Sequence, residues 1–212
     1  MMAVIGLVNF RNFSKAWRAN RDDGVAAILT FVATLAFAPN IQNGILAGIL
    51  FSLSLLLYRM MRPHVAVYGA HHQAAAYDVR HAEHSRMHPN LSILRFDGAL
   101  RFMNVSYFED ALLKLYREHP GVKHILIESG GMNSIDASGV EMLGNLLMRF
   151  RDDGVVLNFS GLKPQVYEVL DRTDVVTKIG REHIFTNDRQ AIEQLNRQLE
   201  ENGGAAAANA AA

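Results

Sequence analysis

The sequence contains no cysteine. Disulfides, thiolate chemistry and cysteine-based zinc sites are thereby excluded. Net charge is missing too, since 21 Lys and Arg balance 21 Asp and Glu. The more telling absence is local. From Gly24 to Tyr58 there are 35 consecutive residues without Lys, Arg, Asp or Glu. That run is too long for a core helix, and Pro39-Asn40 interrupts it near the middle with turn chemistry. Several catalytic signatures are also lacking. The chain has no G-x-S-x-G nucleophile elbow, no Gly-Lys-Ser/Thr phosphate loop and no G-x-G-x-x-G fingerprint. Nothing in it pairs a base with a nucleophile or groups a metal triad, so the sequence implies no enzyme and no cofactor.

The overall neutrality hides two unlike halves. Residues 1–62 carry a net +4 and residues 63–212 a net −4. The basic excess flanks the apolar run and the acidic excess lies in the polar half, which argues against nucleic acid as a partner.

The uncharged run reads as a membrane hairpin. A bilayer core about 30 Å thick needs roughly 20 apolar residues per helix. Asp23–Ala38 supplies a short span and Ile41–Met60 a nearly full one. Asp22 and Asp23 suit the positive dipole end of the first helix. Arg11, Lys15, Arg18 and Arg21 precede the hairpin, Arg59 and Arg62 follow it, and the turn from Pro39 to Gly44 is uncharged. The positive-inside rule then puts both ends, and everything after Arg62, in the cytoplasm. Trp17 and Tyr58 fit interfacial positions, and Gly44, Gly48, Ser52 and Ser54 permit close helix packing. The apolar start, MMAVIGLVNF, reads as the last turns of a preceding membrane helix, as in a fragment of a larger membrane protein. Two other readings stay open: a signal peptide cleaved after Ala36-Phe37-Ala38, and a buried hairpin of a soluble protein.

Residues 63–90 read as a polar linker holding six of the nine histidines. His81, His84 and His88 would share a face if helical. Their spacing is not diagnostic of a metal site, and a solvated connector is the simpler reading.

From Leu91 strand-like and helix-like segments alternate. Strands are expected at Leu91–Phe96, Leu100–Phe102, Lys123–Glu128, Val155–Phe159 and Ile184-Phe185. Helices are expected at Val105–Glu118, Ala137–Arg151, Pro164–Asp171 and Asp188–Leu199. This alternation predicts an α/β domain over residues 91–200, with helices packed on a mixed central sheet. Residues 201–212, ENGGAAAANAAA, read as a disordered tail.

The segment richest in chemistry is Ser129–Gly139, SGGMNSIDASG, between a strand and a helix. Gly130-Gly131 make a flexible strand-to-helix loop. Asp136 is placed to cap the following helix from the N–H of Ser138 or Gly139. Ser138 falls in the first helical turn, where a phosphate would meet a favourable field. Phosphorylation would add about −2 charge to an exposed helix start.

Ile135-Asp136-Ala137-Ser138-Gly139 resembles the D-S-S/T-G motif of STAS domains, the anti-sigma-factor-antagonist fold. Tyr77–His81, Ile93–Asp97 and Phe102-Met103-Asn104 resemble the transporter-attached version, as does the hairpin before them. Over residues 3–200 the chain is similar to the C-terminal part of the sulphate permease (SulP) family of anion transporters: last membrane helices, then a cytoplasmic STAS domain. The resemblance implies a gate or scaffold and regulatory, dimer-forming role in a transporter of sulphate or bicarbonate. It implies as partners the rest of the membrane domain, a sister subunit and a cytoplasmic regulator or kinase. It implies a site in a bacterial inner membrane, transport only as part of the whole protein, and Ser138 as phospho-acceptor. Position 137 is Ala where the motif has a hydroxyl. The alternative is a stand-alone membrane-tethered STAS signalling module switched at Ser138.

Overall fold

The computed structural model describes Gly24, Val25, Ile28, Leu29, Phe31, Val32, Ala36 and Phe37, then residues 41–69 and 88–210, with the backbone alone at 41, 68–69 and 202–210. It divides into two compact units, Met1–Met61 and Arg62–Ala212.

In the first unit, α1 (Ile41–Met61) is a helix of 21 residues. Its segment Gln42–Met61 is long and apolar enough to cross a membrane. Ile45, Leu46, Ile49, Leu50, Leu53 and Leu56 are all exposed, an arrangement that costs little only where the surroundings are themselves apolar. The Ser54 hydroxyl donates to the Leu50 carbonyl at 2.8 Å, so it needs no partner outside the helix. The described residues between 24 and 36 are helical. Pro39-Asn40, expected to turn the hairpin, and Trp17, expected at an interface, lie outside the described residues.

The second unit is built on a five-stranded mixed sheet. Its strands are β1 (His64–Gly69), β2 (Leu91–Asp97), β3 (His124–Glu128), β4 (Val156–Ser160) and β5 (Ile184–Phe185), lying side by side in that order. β1 runs antiparallel to β2, and the other neighbours are parallel. The parallel steps are made by α2 (Val105–Glu118), α3 (Ala137–Asp152) and the pair α4 (Pro164–Arg172) and α5 (Val175–Ile179) with a 3-10 turn, Arg181–His183. The last helix is α6 (Asp188–Ala210).

Side chains alternate across the two faces, as the pleat requires. One face presents Val67, Leu94, Ile127, Phe159 and Ile184 in a single row across all five strands. It packs with Phe96, Ile125 and Leu157 against Phe108, Leu112 and Leu115 of α2 and Leu143, Leu147 and Phe150 of α3. Phe96 and Phe108 meet edge to face, their centroids 5.0 Å apart. The other face buries Leu91, Ile93, Leu126 and Phe185 under Ala191, Ile192, Leu195 and Leu199 of α6.

Three expectations need correction. The start of the supposed linker is an edge strand: His64–Gly69 pairs in register from His64↔Asp97 to Gly69↔Ser92. Its Val65 and Val67 alternate toward the core, a period-two signal that the neighbouring histidines masked in the sequence. Leu100–Phe102 is not a strand. Only Leu100 bridges, to Ile135, and Phe102 is 69% exposed, so the segment buries too little to extend a sheet. The helix expected to end at Leu199 continues to Ala210 through the segment read as a disordered tail. Alanine gives up no side-chain entropy on entering a helix. Between Arg172 and Ile184, α5 and the 3-10 turn were not legible, because five residues of α5 are too few to show a helical period.

Candidate functional site

Ser129–Gly139 and the returning segment Leu100–Asn104 form one connected knot. The loop leaves β3 with Ser129, which is fully buried. Its N–H donates to the Ser160 carbonyl at 2.9 Å and its hydroxyl to the Ile127 carbonyl at 3.2 Å. Met132 is also fully buried and pins the middle of the loop. Gly130 has open space around it. At Gly131 a Cβ would lie 2.3 Å from Asp97 Oδ1 and 2.6 Å from Asp97 Cα, so only a hydrogen fits there. Gly139 is confined likewise, 2.9 Å from the Leu100 carbonyl.

The chain then bridges to Leu100. The Leu100 N–H donates to the Ser134 carbonyl at 2.9 Å, and the Asp136 N–H to the Leu100 carbonyl at 3.1 Å. Asp136 is extended at φ −104, ψ 179, and caps α3. Its Oδ1 accepts from the Gly139 N–H at 3.0 Å and its Oδ2 from the Phe102 N–H at 2.9 Å. One carboxylate thus ties the helix start to the Leu100–Asn104 segment. Partial burial works to raise the Asp136 pKa. The N–H groups of Gly139, Phe102 and Ser138, with the Arg101 charge, outweigh it and hold the carboxyl below its ordinary value.

Asn104, buried, shapes the other side. Its Oδ1 accepts from the Arg101 N–H at 2.9 Å, and its amide donates to the Ala99 carbonyl at 2.9 Å. This places Arg101 over the motif, where its guanidinium donates to Ser134 Oγ at 3.3 Å. Phe102 projects from the same turn. Lys163, immediately before α4, contacts Asn133 Oδ1 of the loop, and Gln165 donates to the Asn133 carbonyl at 3.3 Å.

Ser138 is half-buried in the first turn of α3, and its hydroxyl makes no hydrogen bond among the described residues. The helix-start N–H groups expected to receive a phosphate there are already engaged by Asp136. An anion at this position competes with a carboxylate rather than entering an empty nest. Arg101, Phe102, Asn104 and Lys163 were not singled out from sequence as site residues. Phe102 and Asn104 enter the sequence reading only through the Phe102-Met103-Asn104 resemblance and Arg101 and Lys163 through no motif, because the four converge on the loop only through the fold.

Among the described residues no group of three or more His, Asp or Glu could hold a metal ion. Of the linker histidines on one supposed face, His81 and His84 lie outside the described residues. His88 accepts from the Asn90 N–H at 3.2 Å, and its own N–H donates to Asn196 of α6 at 3.0 Å.

Known proteins resemble this arrangement. The probable sulfate transporter 4.2 of Arabidopsis thaliana is 28% identical over 202 residues, covering 90% of this chain and 30% of that protein. A probable sulfate transporter of Mycobacterium tuberculosis is 25% identical over 198 residues, covering 92% and 35%. The chain therefore spans about a third of the length of these curated relatives. The structure of the murine Solute Carrier 26 family member A9 anion transporter shares the fold, with a TM-score of 0.66 at 17% identity, over 83% of this chain and 29% of that one. The family described as STAS domain matches residues 84–191, which hold four of the five strands and the whole capped loop, and the chain belongs to that STAS domain family.

Proposed function

We propose that this protein is the scaffold-side helix and cytoplasmic regulatory domain of an inorganic anion transporter of the sulfate-transporting kind, acting as a dimer at a bacterial inner membrane. The observation that carries this reading is the join. A helix of membrane-crossing length, Gln42–Met61, is followed within three residues by the first strand of a STAS fold. Sulfate transporters match 90% or more of the chain across that join. Arg59 and Arg62 stand at the join, which favours the cytoplasmic side for the domain. The domain regulates and does not catalyse.

In this reading Ser138 is the regulatory residue. A phosphate on it would compete with Asp136 for the N–H groups of the α3 start and draw on Arg101 for charge. The knot that fixes Phe102 and Arg101 would loosen, changing the surface offered to the membrane domain, a sister subunit or a kinase. The second reading, a membrane-tethered signalling module, is favoured by the free Ser138 hydroxyl at a helix start.

The test is saturable uptake of radiolabelled sulfate by cells making the protein, before and after the codons for residues 62–212 are removed. The transporter reading expects uptake to fall while the membrane portion still fractionates with the membrane. Unchanged sulfate and bicarbonate uptake, with phosphate on Ser138 controlling release of a bound cytoplasmic protein, would favour the signalling module instead.

A further inference from the structure

The two faces of the sheet differ in kind. The face under α2 and α3 is apolar apart from Ser92, whereas the face under α6 mixes apolar with polar side chains. Toward the carboxyl ends of the strands, the residues in register on the α6 side are Ala66, Arg95, Glu128, Ser160 and Phe185. One step further His64 pairs with Asp97. Asp188, the first residue of α6, closes this row from above: the Ser160 hydroxyl donates to its Oδ1 at 2.5 Å, and Glu128 is in register with Ser160, so both carboxyls stand beside that residue. At the opposite end of β3 lies His124, and Asn158 sits between the two ends, in register with Leu126. Asn158 is fully buried, with its amide nitrogen 3.3 Å from His124 Nδ1 and its Oδ1 3.0 Å from His183 Nδ1.

Among the described residues, three carboxyls, of Asp97, Glu128 and Asp188, lie along this row with the Arg95 guanidinium. Arg95 gives its Nε to both oxygens of Asp97, at 2.9 and 3.1 Å, while its Nη1 stays 3.6 Å from Glu128 Oε1. His64 lies 3.5 Å from Asp97, on the rim and largely exposed. The Glu128 side chain is only 14% exposed. Neighbouring carboxylates have only acceptors and repel each other, so such a pair is held best with one proton between them.

We propose that Glu128, beside Asp188, is a proton-dependent latch, holding the start of α6 on the sheet while Glu128 carries a proton and loosening it when Glu128 ionises. The polar atoms of Ser160, Arg95, Asp97 and His64 set the latch, and the apolar side chains of the face give α6 the rest of its hold. Burial first, and then the Asp188 charge, raise Glu128 to about 7, against the attraction of Arg95 and with a further push from Asp97. The sign follows. A carboxyl raised in the folded state adds stability that is complete below its ordinary value and is lost as pH rises through about 7. His124 works in the opposite sense, since burial and then His183 lower its pKa, so any loss from it appears only on the acid side. Glu128 directly precedes Ser129-Gly130-Gly131, and Gly131 lies against Asp97, so the latch borders the capped loop.

The test is hydrogen exchange by mass spectrometry on the whole chain in detergent micelles, corrected for the intrinsic pH dependence of exchange. If opening of α6 frees Glu128, the opening equilibrium at residues 191–201 rises about tenfold between pH 6 and pH 8, the fold-change that linkage assigns to a carboxyl titrating near 7. Glu128→Gln, which keeps the shape and a donor, should flatten that dependence and keep α6 protected at pH 8. Asp188→Asn approaches the pair from the helix and should flatten it as well if the first variant does not fold. Glu193→Gln, on the exposed side of α6, should leave the tenfold change intact. A wild-type α6 whose protection is the same at both pH values, or a tenfold change that survives in both Glu128→Gln and Asp188→Asn, overturns the latch.

Discussion

Removing the Asp136 carboxylate tests how the candidate site is held together. In Asp136→Ala two N–H groups lose their acceptor, that of Gly139 at 3.0 Å and that of Phe102 at 2.9 Å. An N-cap is worth about 1 kcal/mol. A second, charge-assisted bond to a group that water can reach adds about another 1 kcal/mol, at the low end for charged acceptors. The expected loss is therefore about 2 kcal/mol for Ala and, because Asn retains one acceptor oxygen, about 1 kcal/mol for Asp136→Asn. With a urea slope of about 2 kcal/mol per molar for a unit of this size, the Ala midpoint falls by about 1 M. The assay is urea unfolding of the whole chain in micelles, followed by circular dichroism, with hydrogen exchange locating the change. Exchange should accelerate both at the first turn of α3 and at Phe102, because one carboxylate serves both. The Asp136 pKa lies below its ordinary value, so this contribution is present above that value and is lost as pH falls through the lower, folded one. An Ala midpoint within about 0.2 M of wild type, about 0.4 kcal/mol at that slope, would refute the reasoning. So would faster exchange confined to α3, since the tie to Phe102 would then be idle.

Three further outcomes are expected. Gly131→Ala should destabilise the second unit by more than about 1 kcal/mol, since its Cβ must displace Asp97 backbone, and a melting temperature equal to wild type would show that the loop can move aside. Phe159→Ala, at the centre of the row under α2 and α3, should cost about 3–5 kcal/mol in the same urea titration, and a cost below about 1 kcal/mol would mean the core collapses onto the cavity. Ser138→Glu should change sulfate uptake or partner capture more than Ser138→Ala does, and equal behaviour of the two would remove Ser138 from any switch.

The sequence by itself determined much of the second unit. Ile93, Ile125, Ile127, Leu157 and Phe159 lie in short apolar runs closed by turns, and Leu112, Leu115, Leu143 and Leu147 recur at helical spacing. Strand and helix are written in such periods, so β2 to β5 and α2, α3 and α4 could be placed before the fold was seen. The charge-free run from Gly24 to Tyr58 is equally a property of sequence, because hydrocarbon excludes charge residue by residue. What only tertiary structure decided is what long-range pairing decides. β1 looked like a histidine-rich connector, because an edge strand of six residues shows its register only against Leu91–Asp97. Gly131 read as a flexible loop residue, yet Asp97, 34 positions earlier, leaves it no room. Arg101 and Lys163 carry no motif, and with Phe102 they reach the loop only when α2 and α4 are folded against the sheet. In sequence Glu128 and Asp188 mark only the end of a strand and the start of a helix. Sixty residues separate them in the chain, and the burial of Glu128 exists only where α6 closes over the sheet.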